Sequence, residues 1–423
     1  METPDDQPIV PDPRRERRRE DARRRRVGSP THNSRLVLAL QAALGLLALV
    51  VVTGLALLWP DGGKINRPES RLPATLRAEV IAVEKTGCSV RDTDACLQAK
   101  ARLLSGRDEG DIAEFVVGEA GAEVEVGVGD KVRVIRNKVP VQAEIDGVDI
   151  PPYSFNDFER RGPTYALAAA FALLVLVAGR WHGLRALAGL VASLGVVVLF
   201  IVPALLEGRQ PLLVALFGAL AVMLLTIPVA HGIGPKTIAA TFGTTLSLLL
   251  TLGLALLFTK LAHLTGFSGD EITYLRTYVG DLSIQGLLLA GVVIGALGVL
   301  DDVTVSQAST VMALRAANET LPFRELFTRA TSVGRDHITA TVNTLVLAYA
   351  GASLPILLTF SLGQAPFQEA LNSEAVASQV IATLVGSIGL ITAVPITTAV
   401  AAALAVRFST QDLAQDTSHG HVH

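Results

Sequence analysis

Two adjacent carboxylates, Asp301 and Asp302, interrupt a stretch that otherwise reads as the inside of a membrane helix, Gly295–Thr310, GALGVLDDVTVSQAST. A carboxylate at membrane depth is costly unless paired, protonated or wet, so acids there mark ion, proton or solute sites by default. The competing reading is that one of them caps a helix running on from Val303. Beyond them Ser306, Gln307 and Ser309, with Thr304 and Thr310, make a polar run. At helical spacing Asp302, Ser306 and Ser309 share one face and could line a wet path. Hydroxyls in such helices otherwise bond their own backbone. A second dense stretch, Gly334–Gly351 (GRDHITATVNTLVLAYAG), crowds Arg335, Asp336 and His337 at the start of a span and sets Asn343 and Tyr349 along it. Arg335 is the natural partner for Asp301 or Asp302, and His337 is a residue type suited to a proton-coupled step. Asp336 could instead cap its helix, and Arg335 could be a topology charge.

The elements that must position these residues are long apolar spans. The chain has 423 residues, 50% hydrophobic and 18% charged, with the charges gathered near the N-terminus and between residues 60 and 161. A membrane helix needs about 20 apolar residues, and runs of that length recur. Residues 1–35, with RRERRREDARRRR at Arg14–Arg26, cannot form a core and are expected to be a disordered basic cytoplasmic tail. Residues 36–59 form the first span, oriented by that arginine flank, which also suits anionic lipid better than nucleic acid. Seven further spans are expected near 164–179, 184–206, 211–230, 237–260, 283–303, 337–362 and 379–405. Together they make a seven-helix membrane domain over 161–407, with an amphipathic cytoplasmic helical segment at 304–336 and a cytoplasmic tail at 408–423. Lys and Arg concentrate on the proposed inner loops, so both termini are placed in the cytoplasm.

Residues 60–160 would face the other side. Runs such as ATLRAEVIAVEK, DIAEFVVGE and DKVRVIRNK alternate apolar and polar residues between Gly and Asp turns. Five or six short strands in this space suggest a small extracytoplasmic β-rich domain, an OB-like barrel. Cys88 and Cys96 lie within it, and in an oxidising compartment they are expected to pair.

The second helices of successive hairpins repeat a pattern: GALAV at Gly218–Val222, GALGV at Gly295–Val299 and GSIGL at Gly386–Leu390. IAATFGT at Ile238–Thr244 pairs similarly with ITATVNT at Ile338–Thr344. Either this is a parallel hairpin repeat, as transporters use, or it is the reuse of Gly, Ala and Thr common to packed membrane helices. His419, His421 and His423 end the chain but offer no preformed metal geometry. No phosphate-binding loop, nucleophile elbow, HExxH or CxxC occurs, so no enzyme activity and no cofactor is expected.

Three strings, Gly295–Ser309, Gly334–Pro355 and LVGSIGLITAVPITT at Leu384–Thr398, resemble the YibE/F-like family of bacterial multi-pass membrane proteins. That resemblance implies a cytoplasmic (inner) membrane location and supplies no catalytic residues. The family pattern often carries a Glu where this chain has Met312-Ala313. The residues themselves suggest a secondary transporter or channel for a small solute or ion. The alternative is a membrane scaffold or sensor whose extracytoplasmic domain binds a partner. No feature of the sequence sets the oligomeric state.

Overall fold

The structure, a computed structural model, describes residues 34–62, 74–87, 95–117, 125–137, 144–145, 148–149, 152–232, 234–267, 272, 282–363 and 366–407. The basic tail, Cys88 and the C-terminal histidines lie outside the described residues, and so does the expected Cys88–Cys96 pairing. The chain divides into two compact units, Asn66–Arg180 and the remainder.

The smaller unit is a curled sheet. Strands β1 (Thr75–Gly87), β2 (Ala95–Leu103), β3 (Ile112–Val117), β4 (Lys131–Arg136) and β7 (Tyr153–Phe158) pair antiparallel in the order β3-β2-β1-β4-β7. A two-stranded ribbon, β5 (Glu144–Ile145) and β6 (Val148–Asp149), stands apart. The sheet rolls up until its edge strands β3 and β7 lie alongside each other. Two register shifts, between Val80 and Ala82 and between Arg133 and Val134, add the local twist that rolling requires. The period-two alternation drives the burial. In β3, Ala113, Phe115 and Val117 point inward against Val80, Ala101, Val132 and Val134, while Ile112, Glu114 and Val116 point out.

The larger unit is helical. Its elements are α1 (Ser34–Leu58), α4 (Pro211–His231), α5 (Pro235–Leu261), α6 (Ile284–Ala317), α7 (Phe323–Ala352), α8 (Leu354–Leu362), α9 (Phe367–Asn372) and α10 (Glu374–Ala405). Before α4 runs a longer stretch, whose residues up to Arg180 belong to the smaller unit: α2 (Arg161–Val196), a π turn at Val197–Ile201 and α3 (Val202–Leu206). Proline at the first turn of α4 and α5 fits where no amide bond is lost. α4 ends on Gly232, whose φ of 80° favours glycine. Helices α5, α6 and α10 form the centre, with α4 and α7 packed at the sides and α1 against α4.

Among the described residues, six helical stretches are long and apolar enough to cross a membrane, and α7 with α8, bent by 54°, makes a seventh if counted as one span. The expected spans 164–179 and 184–206 fall within the single stretch Arg161–Leu206, which is interrupted where Arg180 takes φ 47°, ψ −123°. The expected helical segment 304–336 also differs. Its first part continues α6 without a break, and its second begins a new helix at Phe323.

Candidate functional site

α6 starts with Ser283 as its cap, the hydroxyl accepting from the Gly286 amide at 3.1 Å. Asp301 and Asp302 then lie in mid-helix, so neither caps anything, and the capping reading is overturned. The reason is local: from Val299 to Asn318 there is no Gly or Pro to stop the helix, and the first breaker is Pro322. Asp336 likewise sits inside α7, well past its first turn, and caps nothing.

The two acids point in different directions, about 100° apart around the helix. Asp301 is half-buried and faces α4, where the Thr226 hydroxyl donates to its Oδ2 at 3.4 Å. Its Oδ1 is buried and has no hydrogen-bond partner. Behind it the Thr304 hydroxyl contacts the Asp301 carbonyl at 3.1 Å and lies 2.5 Å from the Thr244 hydroxyl of α5, which itself donates to the Ala240 carbonyl at 2.9 Å. Asp302 is exposed, and its charge reaches His231 at the end of α4, near Lys236 and His182.

The polar run beyond the acids divides by face. Ser306 is exposed and Ser309 is half-buried, its hydroxyl donating to the Val305 carbonyl at 2.8 Å. Gln307 points the other way into the bundle. Its amide nitrogen donates to the Ala330 carbonyl of α7 and to the Thr398 hydroxyl of α10, both at 2.8 Å. Gly334 makes room for it, because a Cβ there would overlap the Gln307 amide and Val394. Gln307 therefore ties three helices together and does not line a path.

On α7, Arg335, Asp336, His337 and Asn343 are exposed, and among the described residues Arg335 is in no ion pair. The expected approach of Arg335 to the carboxylates is not made, because Asp301 turns toward α4. Tyr349 is half-buried with its hydroxyl against Gly295, and with Gly291, Ser378 and Gln379 it lines a cavity of about 460 Å³. A larger cavity, about 650 Å³, sits elsewhere, at the Lys260 and His263 end of α5.

Three residues around the acids escaped sequence reasoning: Thr226 against Asp301, Thr244 against Thr304 behind it, and His231 within reach of the Asp302 charge. The segment TIPVAH (Thr226–His231) carried a signal, a hydroxyl residue two positions before Pro228 with His231 ending the helix. Among the described residues no group of three or more His, Cys, Asp or Glu side chains could hold a metal ion.

Fold and site together define a bundle of membrane-length apolar helices with a carboxylate turned into it. The model for the YibE/F-like protein family matches residues 167–407, more than half of the chain, and the chain belongs to that family. Searches of curated proteins and of solved structures give no match.

Proposed function

We propose that this is an integral membrane protein of the bacterial inner membrane that moves a small solute or ion past an intramembrane carboxylate pair. The observation that carries the reading is Asp301: a half-buried acid in mid-helix whose Oδ1 is enclosed by protein and has no partner. A carboxylate oxygen left without a donor is costly, and a cation or proton would relieve that cost.

Several features support insertion. Counting both sides of Arg180 and the bent α7–α8 pair gives eight spans, with both termini in the cytoplasm by the arginine bias. Large apolar side chains cover the outside of these helices, among them Leu167, Leu174, Val177 and Val191, all more than half exposed. Ile284 would lie near the outer surface, and Asp301 about 25 Å further along the helix axis. That depth falls inside a hydrocarbon core of about 30 Å, toward the cytoplasmic side. α6 at 34 residues is about 51 Å long, so its last turns would emerge beyond the bilayer.

The path we infer follows the side of α6 that faces α4. It passes the Asp301 carboxylate and the Thr226 hydroxyl where α6 meets α4, and reaches Asp302 near His231. The curled sheet has the strand order of a five-stranded OB-like barrel and is read as extracytoplasmic. The test is flux in proteoliposomes with a panel of monovalent and divalent ions and protons. Saturable, protein-dependent uptake of one of them is expected. The absence of uptake for every ion tested, with correctly inserted protein, would overturn the reading in favour of a scaffold.

A further inference from the structure

Among the described residues, the outward face of α6 is an open groove in the single chain. Gly291 and Gly298 have no atom within 4 Å of the position a Cβ would take, and Gly295 meets only the Tyr349 hydroxyl. Asp302 and Ser306 continue the same face and are exposed. Beside the groove, α7 is held by a narrow buried stripe, Leu326, Ala330 and Gly334, and turns Arg335, Thr339 and Asn343 outward. In hydrocarbon Asp302 and Asn343 would both be expensive.

Their depths match. Gly334 packs against Gln307 and the Tyr349 hydroxyl against Gly295, so α6 and α7 run antiparallel with Asp302 level with Thr339. Side chains on a helix lean toward its N-terminus. On antiparallel helices Asp302 and Asn343 therefore lean toward one common level, a carboxylate that accepts and an amide that donates. Arg335 adds a cation one turn from the acid's level. A groove bearing the acid beside a ridge bearing donors and a cation is self-complementary, which is what an isologous two-fold contact requires. Glycines spaced four and three apart in the groove (Gly291, Gly295, Gly298) also admit close approach of a second helix.

We propose that a second copy of this chain seats its α7 ridge in the α6 groove about a two-fold axis. Each copy's Asn343 then faces the other's Asp302, and the pair walls off the open side of the carboxylate site. The functional meaning rests on the transport reading; the contact itself does not.

The test uses the full chain with Cys88→Ser and Cys96→Ser, in two differently tagged forms expressed together. One form carries Gly298→Cys, where the groove leaves room, and the other Val346→Cys, at the matching depth on the ridge. Mild oxidation in membranes should give a dimer bearing both tags, while Leu194→Cys, on the outward face of α2, should give none with Gly298→Cys. Adding Asn343→Leu to both forms should lower the crosslinked yield roughly threefold or more. Absence of the two-tag band, or a band equally strong with Leu194→Cys, overturns the proposal, as does photobleaching that counts single chains in vesicles. Flux measured on the same samples separates the two readings. A crosslinked dimer without flux keeps the interface and removes transport, and flux from single chains does the reverse.

Discussion

Two faces of the helical unit are written in the same small residues and are used in opposite ways. Between α5 and α10 the glycines are closed. Gly243 lies directly against the Thr397 side chain and Gly389 directly against Thr251, a reciprocal arrangement along two antiparallel helices. On the outward side of α6, a Cβ at Gly291 or Gly298 would meet no described atom within 4 Å. The repeated motif divides in the same way: Gly218 and Gly386 are buried, whereas Gly295, at the matching position, is exposed. A Gly-xxx-small pattern marks a place where a helix can come close. Whether one has done so depends on the neighbours.

This comparison predicts a large asymmetry. Gly243→Leu or Gly389→Leu forces a side chain into the facing threonine, Thr397 or Thr251, which should cost about 3 kcal/mol and leave little folded protein by size-exclusion chromatography in mild detergent. Gly298→Leu adds the same bulk where one chain leaves space, so in detergent-separated single chains its melting temperature should stay close to that of the unmodified chain. Equal losses at both sites would show that the α6 groove is already filled within one chain.

An intermediate effect is expected at Gln307. Leucine there fills the space but removes two buried hydrogen bonds that join α6 to α7 and α10. Stability should fall by about 1–3 kcal/mol, read as a lower melting temperature. Ser306→Ala, on the open face one residue away, should leave stability unchanged. Loss of flux without loss of stability in the Gln307 variant would return that residue to the path.

The smallest effect lies in the curled sheet. Asp157 accepts from Arg160 at 2.5 Å and from the Phe158 amide at 2.8 Å, and the arginine first and the amide second hold its carboxyl below the ordinary carboxylate range. A depressed folded-state value means that the contribution is present at neutral pH and fades as pH falls through it. The pair is solvent-exposed, so its effect on stability is small. NMR titration should place Asp157 below a typical aspartate, and Arg160→Ala should bring it back up. No change on that substitution would assign the shift to the backbone amide alone.

Much of this was legible in the sequence, for identifiable reasons. Apolar length set the helices, and strict alternation set β3 and β4, because both patterns report burial directly. The unbroken course of α6 was missed: nothing from Val299 to Asn318 stops a helix, but the paired acids suggested an end near residue 303. What the sequence left open was rotation. Glycines and polar residues lie on several sides of α6, so no stripe says which neighbour each side meets. Asp301 consequently turned to Thr226 of α4 and not to the helix of Arg335. Gln307 turned inward as a tether, since an amide in a membrane helix can either join helices or line a path.

The account's central claim is that Asp301 is kept inside the bundle for its charge and not for packing. The direct measurement is flux of the transported ion in proteoliposomes for the unmodified chain and for Asp301→Asn, with insertion and melting temperature measured on the same preparations. Asparagine keeps the shape and can still accept from Thr226. Flux should fall to the protein-free background while insertion and melting temperature hold. Flux equal to that of the unmodified chain, at equal insertion, would contradict the claim and leave Asp301 as a helix-packing residue.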